Sequence, residues 1–442
     1  MTVQNLTTPS AAQVAWQDLE LGMFIHFEPI TFKPAPAYHQ HPEELPKPES
    51  INPAKLDTDQ WLEAARAMGA RLAVFTAQHD SGFCMWPTDV YDYGIKQSPW
   101  RNGGGDVVAD FIESCHKYDI KPGLYCSFLP NYYLGFTSPQ AAEDVAFYQR
   151  GVQTFEQLIT ELCSRYGELV EIWFDGGFPT LEGEWRWNDG GYPGGPDIAP
   201  ILEEHQPNIV VAQGPLSRCR WSGNEGGTTR YPCWSTLAHP LADRRVPSVQ
   251  RYPMLGHGDP DGERWIPAEC CTTLRTPHEW FWKPEGQVLK SVEHLTGLYY
   301  HSVGRNSNLL LNAAPNADGL IPEEDMAVYS ELGKELRRRF GNRVAETSGS
   351  GDELELESEK PIIFDHIVIM EDITSGERIR EYVVEGQLDG TGWFELCRGR
   401  SVGHKRIESV PPFETTAVRL RCLQSVATPQ IRSFALYRSS IR

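Results

Sequence analysis

Glu171-Ile-Trp-Phe-Asp175-Gly-Gly177 is a β-branched and aromatic run that ends in a carboxylate followed by two glycines. From Leu169 to Phe174 it reads as a strand apolar enough to be buried on both faces, as strands of a parallel sheet are. A charge at the end of such a strand emerges at the sheet's carboxyl edge, where α/β folds carry their chemistry. The glycine pair would let a ligand approach the backbone. The plain alternative is that Asp175 caps the turn that follows. The stretch alone leaves both readings open.

Working outward, strand-like and helix-like runs alternate over the first three quarters of the chain. Gly22–Phe27, Arg71–Thr76, Pro122–Ser127, Asn208–Gln213 and Asn308–Asn312 read as further strands. Thr58–Gly69 carries Trp61, Ala64, Ala65 and Met68 at helical spacing, and Asp106 stands where it would cap a helix to Tyr118. Further helices are expected from Ser138 toward Tyr166, over Ile198–His205 and over Pro322–Phe340. Repeated βα units predict a parallel sheet. A (β/α)8-like barrel over residues 1–345 is favoured because chemistry-bearing side chains follow several strands instead of one switch point. Past Phe340 the pattern changes. Glu346–Gly351 has linker composition, and short alternating runs at Ile362–Met370, Glu381–Gln387, Trp393–Cys397, Ala417–Cys422 and Ile431–Tyr437 predict a C-terminal antiparallel β-sandwich over 346–442.

The 40 basic and 60 acidic residues give a net charge of −20, which disfavours nucleic acid and anionic membranes as partners. An acidic chain with 13 Trp and 17 Tyr suits a neutral, hydroxyl-rich ligand instead. No run approaches the length of a membrane span. Met1–Ser10 has neither the basic start nor the apolar core of a secretion signal, which favours the cytoplasm as an expectation. The ten cysteines fit no zinc or disulfide spacing and are expected to be mostly buried thiols. Oligomeric state is not legible.

Several further clusters carry possible chemistry. His26 ends the first strand. Gln78-His79-Asp80-Ser81-Gly82-Phe83 follows the second and leads to Trp86; a His-Asp pair without a third ligand at fixed spacing argues against a metal. Arg220-Trp-Ser-Gly-Asn-Glu225-Gly-Gly is a glycine-dense loop with one acid, unremarkable if it is only a surface turn. Glu269 and Arg275 precede the aromatic group Trp280-Phe281-Trp282, which reads as a pocket wall or as plain core. Trp173 and Phe174 read as structural, since alternation turns only one of them inward. Two carboxylates on separate loops above a barrel fit glycosidic hydrolysis, where one ionised acid meets the anomeric carbon and a protonated one serves the leaving oxygen.

Together these segments resemble glycoside hydrolase family 29, the retaining α-L-fucosidases. The matching stretches run in the family's order over about residues 15 to 340: Met23–Phe27, Phe75–His79, Gly82–Pro87, Asn102–Val108, Glu171–Gly176, Arg220–Glu225, Trp265–Cys270, Val303–Asn312 and Gly319–Ile321. The Arg220–Glu225 loop resembles the branch preferring α-1,3/1,4-linked fucosides. The resemblance implies hydrolysis of terminal α-L-fucosyl residues from oligosaccharides or glycoconjugates by double displacement, without metal or cofactor. It implies Asp175 as nucleophile and Glu225 as general acid/base, with carboxyl groups about 5–5.5 Å apart when productive. His26 and His79 match sugar-binding histidines, Arg275 an arginine near the sugar, and Trp280 and Phe281 the wall beside the sugar's methyl group. Asp80, Trp86, Tyr125, Trp173 and Glu269 complete the expected substrate-binding set.

This chain departs from the family pattern at two places. The second-strand motif usually reads Lys-His-His-Asp-Gly-Phe, so Asp80 replaces a sugar-binding histidine. The segment Ile30–His41 replaces a usual Asn-Thr-Phe and Glu-Trp pair. An acceptor at position 80 would favour a donor such as an added hydroxyl, which makes an α-L-galactosidase the alternative on the same scaffold. An inactive carbohydrate-binding homologue is the alternative of another class.

Overall fold

The structure is a computed structural model that describes residues 6–32, 44–127, 130–136, 144–175, 196–213, 216–238, 254–388 and 392–439, with the backbone of 178–179 and 185–186. Much of the altered 30–41 segment, the glycine pair 176–177 and the expected helix start at 138–143 lie outside the described residues.

Eight parallel strands form the barrel: β1 Leu21–Ile25, β2 Leu72–Gln78, β3 Lys121–Ser127, β4 Glu171–Asp175, β5 Val210–Ala212, β6 Arg220–Trp221, β7 Ala268–Thr272 and β8 Ser307–Ala313. Their order is β5-β4-β3-β2-β1-β8-β7-β6, and a parallel bridge between Ala212 and Cys219 joins the two ends. The strands are buried almost throughout, which is why they read as continuous apolar runs. Phe24, Val74, Tyr125, Trp173 and Leu310 fill the interior. Alternate residues such as Met23, Phe75, Phe174 and Leu309 point outward into the layer shared with the helices.

The helices follow their caps. In α2, Thr58–Met68, Asp57 accepts from the backbone of Asp59 and Gln60, and Gly69 closes the helix in the left-handed conformation. In α3, Val107–Tyr118, Asp106 Oδ1 accepts from Ala109 N at 2.9 Å, as expected. A short helix α1, Ala11–Gln17, which the sequence reading missed, sits at the amino-terminal end of the strands. Its Trp16 joins the interior cluster and donates Nε1–H to Glu171 Oε2 at 2.8 Å.

The C-terminal antiparallel module is present, with six strands around their own apolar core. They are β9 Arg343–Ser350, β10 Glu353–Glu371, β11 Ile379–Leu388, β12 Gly392–Gly399, β13 Arg406–Ser425 and β14 Gln430–Tyr437. The presumed linker at 346–351 is a correction: it lies mostly in β9, because its backbone pairs with β14 and Glu346 accepts from Ser433 Oγ at 2.6 Å. Barrel and module meet at Asn306, which adopts a left-handed backbone with φ of 64°. Its side-chain amide donates to Cys233 O and to Glu377 Oε1, and its carbonyl accepts from His404 N.

Candidate active site

The carboxyl ends of β1 to β4 deliver His26, His79, Asp80, Tyr125 and Asp175 to one place. Tyr125, on β3, donates its hydroxyl to Asp175 Oδ2 at 2.9 Å. The His79 ring lies parallel to Tyr125, with centroids 5.1 Å apart. His26 stands edge-on to His79 at 5.8 Å and stacks on Trp280 at 4.7 Å. Phe281 presents its edge to both histidines, at 5.4 and 5.0 Å. From Trp280 the wall continues to His278 at 5.1 Å, whose Nε2 lies 2.7 Å from Glu225 Oε2. An unbroken series of side-chain contacts therefore runs from Asp175 to Glu225.

Hydrogen-bond inventory sets the protonation of His26. Asn312 donates Nδ2–H to Trp280 O at 2.7 Å, so its Oδ1 is the acceptor 2.7 Å from His26 Nδ1. His26 thus carries its proton on Nδ1. Burial first, then the neighbouring His79, holds its pKa well below the ordinary value, and the neutral ring keeps a lone pair on Nε2 for a ligand hydroxyl.

Asp80 is pushed up to about 8 by burial and by the charge of Asp175. It lies 3.4 Å from His79 Nδ1, an atom that is buried without a hydrogen bond. At neutral pH Asp80 is therefore mostly a carboxylic acid that both donates and accepts. Burial thus favours the protonated acid over the acceptor-only carboxylate expected there. The loop that carries it is pinned by Tyr132 N to Asp80 O and by Gly82, where φ is 82° and a Cβ would collide with Asn131.

Three expected ligand residues are held elsewhere. Trp86 is fully buried in the layer between strands and helices and donates to Glu161 Oε2 at 2.7 Å. Glu161 belongs to α4, Val145–Arg165. Arg275 is paired with Asp325 and Glu324 in the first turn of α5, Glu323–Phe340, so its charge is already met. Glu269 lies inside the barrel and accepts Nε1–H of Trp173 at 2.7 Å, so it supports that ring from below. Trp173 packs with Phe24 and Tyr125, at 5.5 and 6.1 Å, beneath the histidines.

Sequence reasoning missed Asn312, His278 and Glu28 as individual members. Glu28, three residues past β1, is buried, accepts from Ser81 Oγ at 2.7 Å and comes to 4.0 Å of His79 Nδ1. Its position directly after the His26 strand end was the available signal. Among the described residues, Glu171, Cys219 and Glu269 form a group whose donor atoms fall within 4.8 Å, close enough for a metal ion. Burial raises both acids, and the Glu171 charge raises Glu269 further, which favours their protonated forms.

A family model described as Alpha-L-fucosidase matches residues 30–339, well over half of the chain. The Arabidopsis thaliana alpha-L-fucosidase 1 is 29% identical, over 98% of this chain and 88% of its own length. A crystal structure from Bacteroides thetaiotaomicron, itself only provisionally assigned as an alpha-L-fucosidase, superposes with a TM-score of 0.89 at 37% identity, covering 99% of this chain and all of that one. A Ruminococcus gnavus family 29 fucosidase in complex with fucose shares the fold, with a TM-score of 0.80 at 22% identity over 98% and 95% of the two chains. A parallel barrel with acids and aromatics at its carboxyl end, joined to a β-module, is here the scaffold of a glycoside hydrolase. The chain belongs to the alpha-L-fucosidase family.

Proposed function

We propose that this protein removes terminal α-L-fucosyl residues from fucosylated oligosaccharides or glycoconjugates with retention of configuration. Asp175 attacks the anomeric carbon, and Glu225 protonates the leaving oxygen and then deprotonates water. The observation that carries this reading is the continuous lining between the two acids, with Tyr125 bonded to one and His278 to the other. The Asp175 carboxylate, bonded to Tyr125 beside a neutral His26, suits a transition state that gains positive charge. His26 Nε2 and the Asp80 carboxyl serve sugar hydroxyls, while Trp280 and Phe281 offer apolar faces to the sugar ring and its methyl group.

The Arg220–Glu225 loop supports a preference for branched α-1,3/1,4-linked fucosides. The α-L-galactoside alternative loses some support, because a neutral Asp80 does not select an added hydroxyl by acceptor charge. Kinetics on an aryl α-L-fucoside test the roles. Asp175→Ala and Glu225→Ala each lower turnover by about 10²-fold or more, and azide partly rescues the second. Wild-type enzyme inert on fucosides of every linkage would end this reading, and faster turnover of the α-L-galactoside would replace it.

A further inference from the structure

The proton inventory around Glu225 reaches beyond its role as an acid. Thr273 lies one residue past β7, and its hydroxyl donates to Arg275 O at 2.8 Å, which spends its one proton. Both remaining sites on that oxygen are acceptors. Lys290 Nζ donates to one at 3.0 Å and is held in place by a second bond to Thr273 O. The other faces His278 Nδ1 at 3.3 Å, and hydrogen on that nitrogen completes the inventory with every site on the hydroxyl used. A neutral His278 then presents a lone pair at Nε2, 2.7 Å from Glu225 Oε2. Two bare acceptors do not sit at that distance, so one proton lies between them, either on the carboxyl or on the ring.

We propose that His278, locked by Thr273 as the Nδ1–H form, is a positioning residue that keeps one proton in the Glu225–His278 pair. This rests on the assignment of Glu225 as general acid/base. In the first step Glu225 gives that proton to the leaving oxygen as the bond from that oxygen to the anomeric carbon breaks and Asp175 bonds the carbon. Glu225 is left as an anion facing the Nε2 lone pair. That repulsion favours recovery of a proton from the water that attacks the carbon and releases Asp175. The same contact therefore loads the acid and sharpens the base. Other titratable groups near the pair are Lys290 through Thr273, His26 beside His278, and Cys271 beside Glu225.

Two measurements test this. In ¹⁵N-histidine spectra of the resting enzyme, assigned by difference with His278→Gln, the His278 Nδ1 is protonated. A neutral ring with its hydrogen on Nε2 overturns the proposal. In a fucoside series, His278→Gln lowers kcat/KM about tenfold or more for substrates with sugar or alkyl leaving groups, while kcat/KM for a dinitrophenyl fucoside, whose departure needs no protonation, is nearly unaffected. Thr273→Val acts in the same direction to a smaller extent. An equal loss of kcat/KM across the whole series means a merely structural contact and also overturns it. Inert wild-type enzyme would sink the fucosidase reading alone, because the spectrum decides the proton inventory without turnover.

Discussion

At Asp80 a single position departs from the family pattern, and its surroundings change what the side chain is. The ordinary value of 3.8 rises to about 8, so the folded chain holds a proton that the unfolded chain releases over most of that interval. The native state binds more protons there, and stability falls as pH rises from about 4 to 8 before levelling off. Asp80→Asn removes this dependence. Melting curves should show the variant gaining on wild type as pH climbs through that window, and a constant gap would contradict the assignment. Asn312 is the second informative residue, since it alone fixes which nitrogen of His26 is free. Asn312→Ala should raise KM for an aryl fucoside by roughly tenfold, the equivalent of about 1.4 kcal/mol. Unchanged KM would mean that His26 orientation is set by its aromatic neighbours.

At the scale of elements, Arg275 is an anchor between the loop that leads to Trp280 and the start of α5. That helix opens with Glu323, Glu324 and Asp325, and the fully buried Asp325 takes the guanidinium. Arg275→Ala strands this carboxylate and should cost about 3–5 kcal/mol in denaturant unfolding. Unchanged stability with a large rise in KM would restore direct sugar contact. The same residue shows where sequence reading stops. Spacing placed Arg275 near the aromatic wall, but its direction is decided by a helix some fifty residues later. Trp86 followed a polar loop and still turned inward, because Glu161 on α4 offers its indole a buried acceptor. The strands β6 and β7 were legible only as loops. Arg220–Trp221 is too short for a pattern, and Ala268–Thr272 has a single β-branched residue and no alternation; both owe their extended form to neighbouring strands. The strands that did announce themselves, β1 to β5 and β8, are those whose apolar runs are buried on both sides, and β1 to β4 and β8 bring His26, His79, Tyr125, Asp175 and Asn312 to the site.

For the whole molecule, the β-module and the barrel share a polar junction that makes them one unit. Glu377 is buried and accepts from Ser235 N and Asn306 Nδ2, and His404 and Arg432 both bond Asp18 from the barrel's first helical segment. Glu377→Ala leaves several buried donors without an acceptor and should destabilise the protein by about 2–4 kcal/mol. Calorimetry should still show one transition at a lower temperature. A variant as stable as wild type would mean that the junction is dispensable. Composition fits this scale as well: a net charge of −20 and an acid-rich cavity suit a neutral sugar whose transition state is cationic.

The central claim is that Asp175 forms the covalent link to the sugar. Incubation with a slow-turnover 2-deoxy-2-fluoro fucosyl donor, followed by peptide mass mapping, examines it directly. The account predicts one added fluorofucosyl group, on the peptide containing Asp175 and on that carboxyl. A label on another residue, or release of product with inverted anomeric configuration and no trapped adduct, would contradict it.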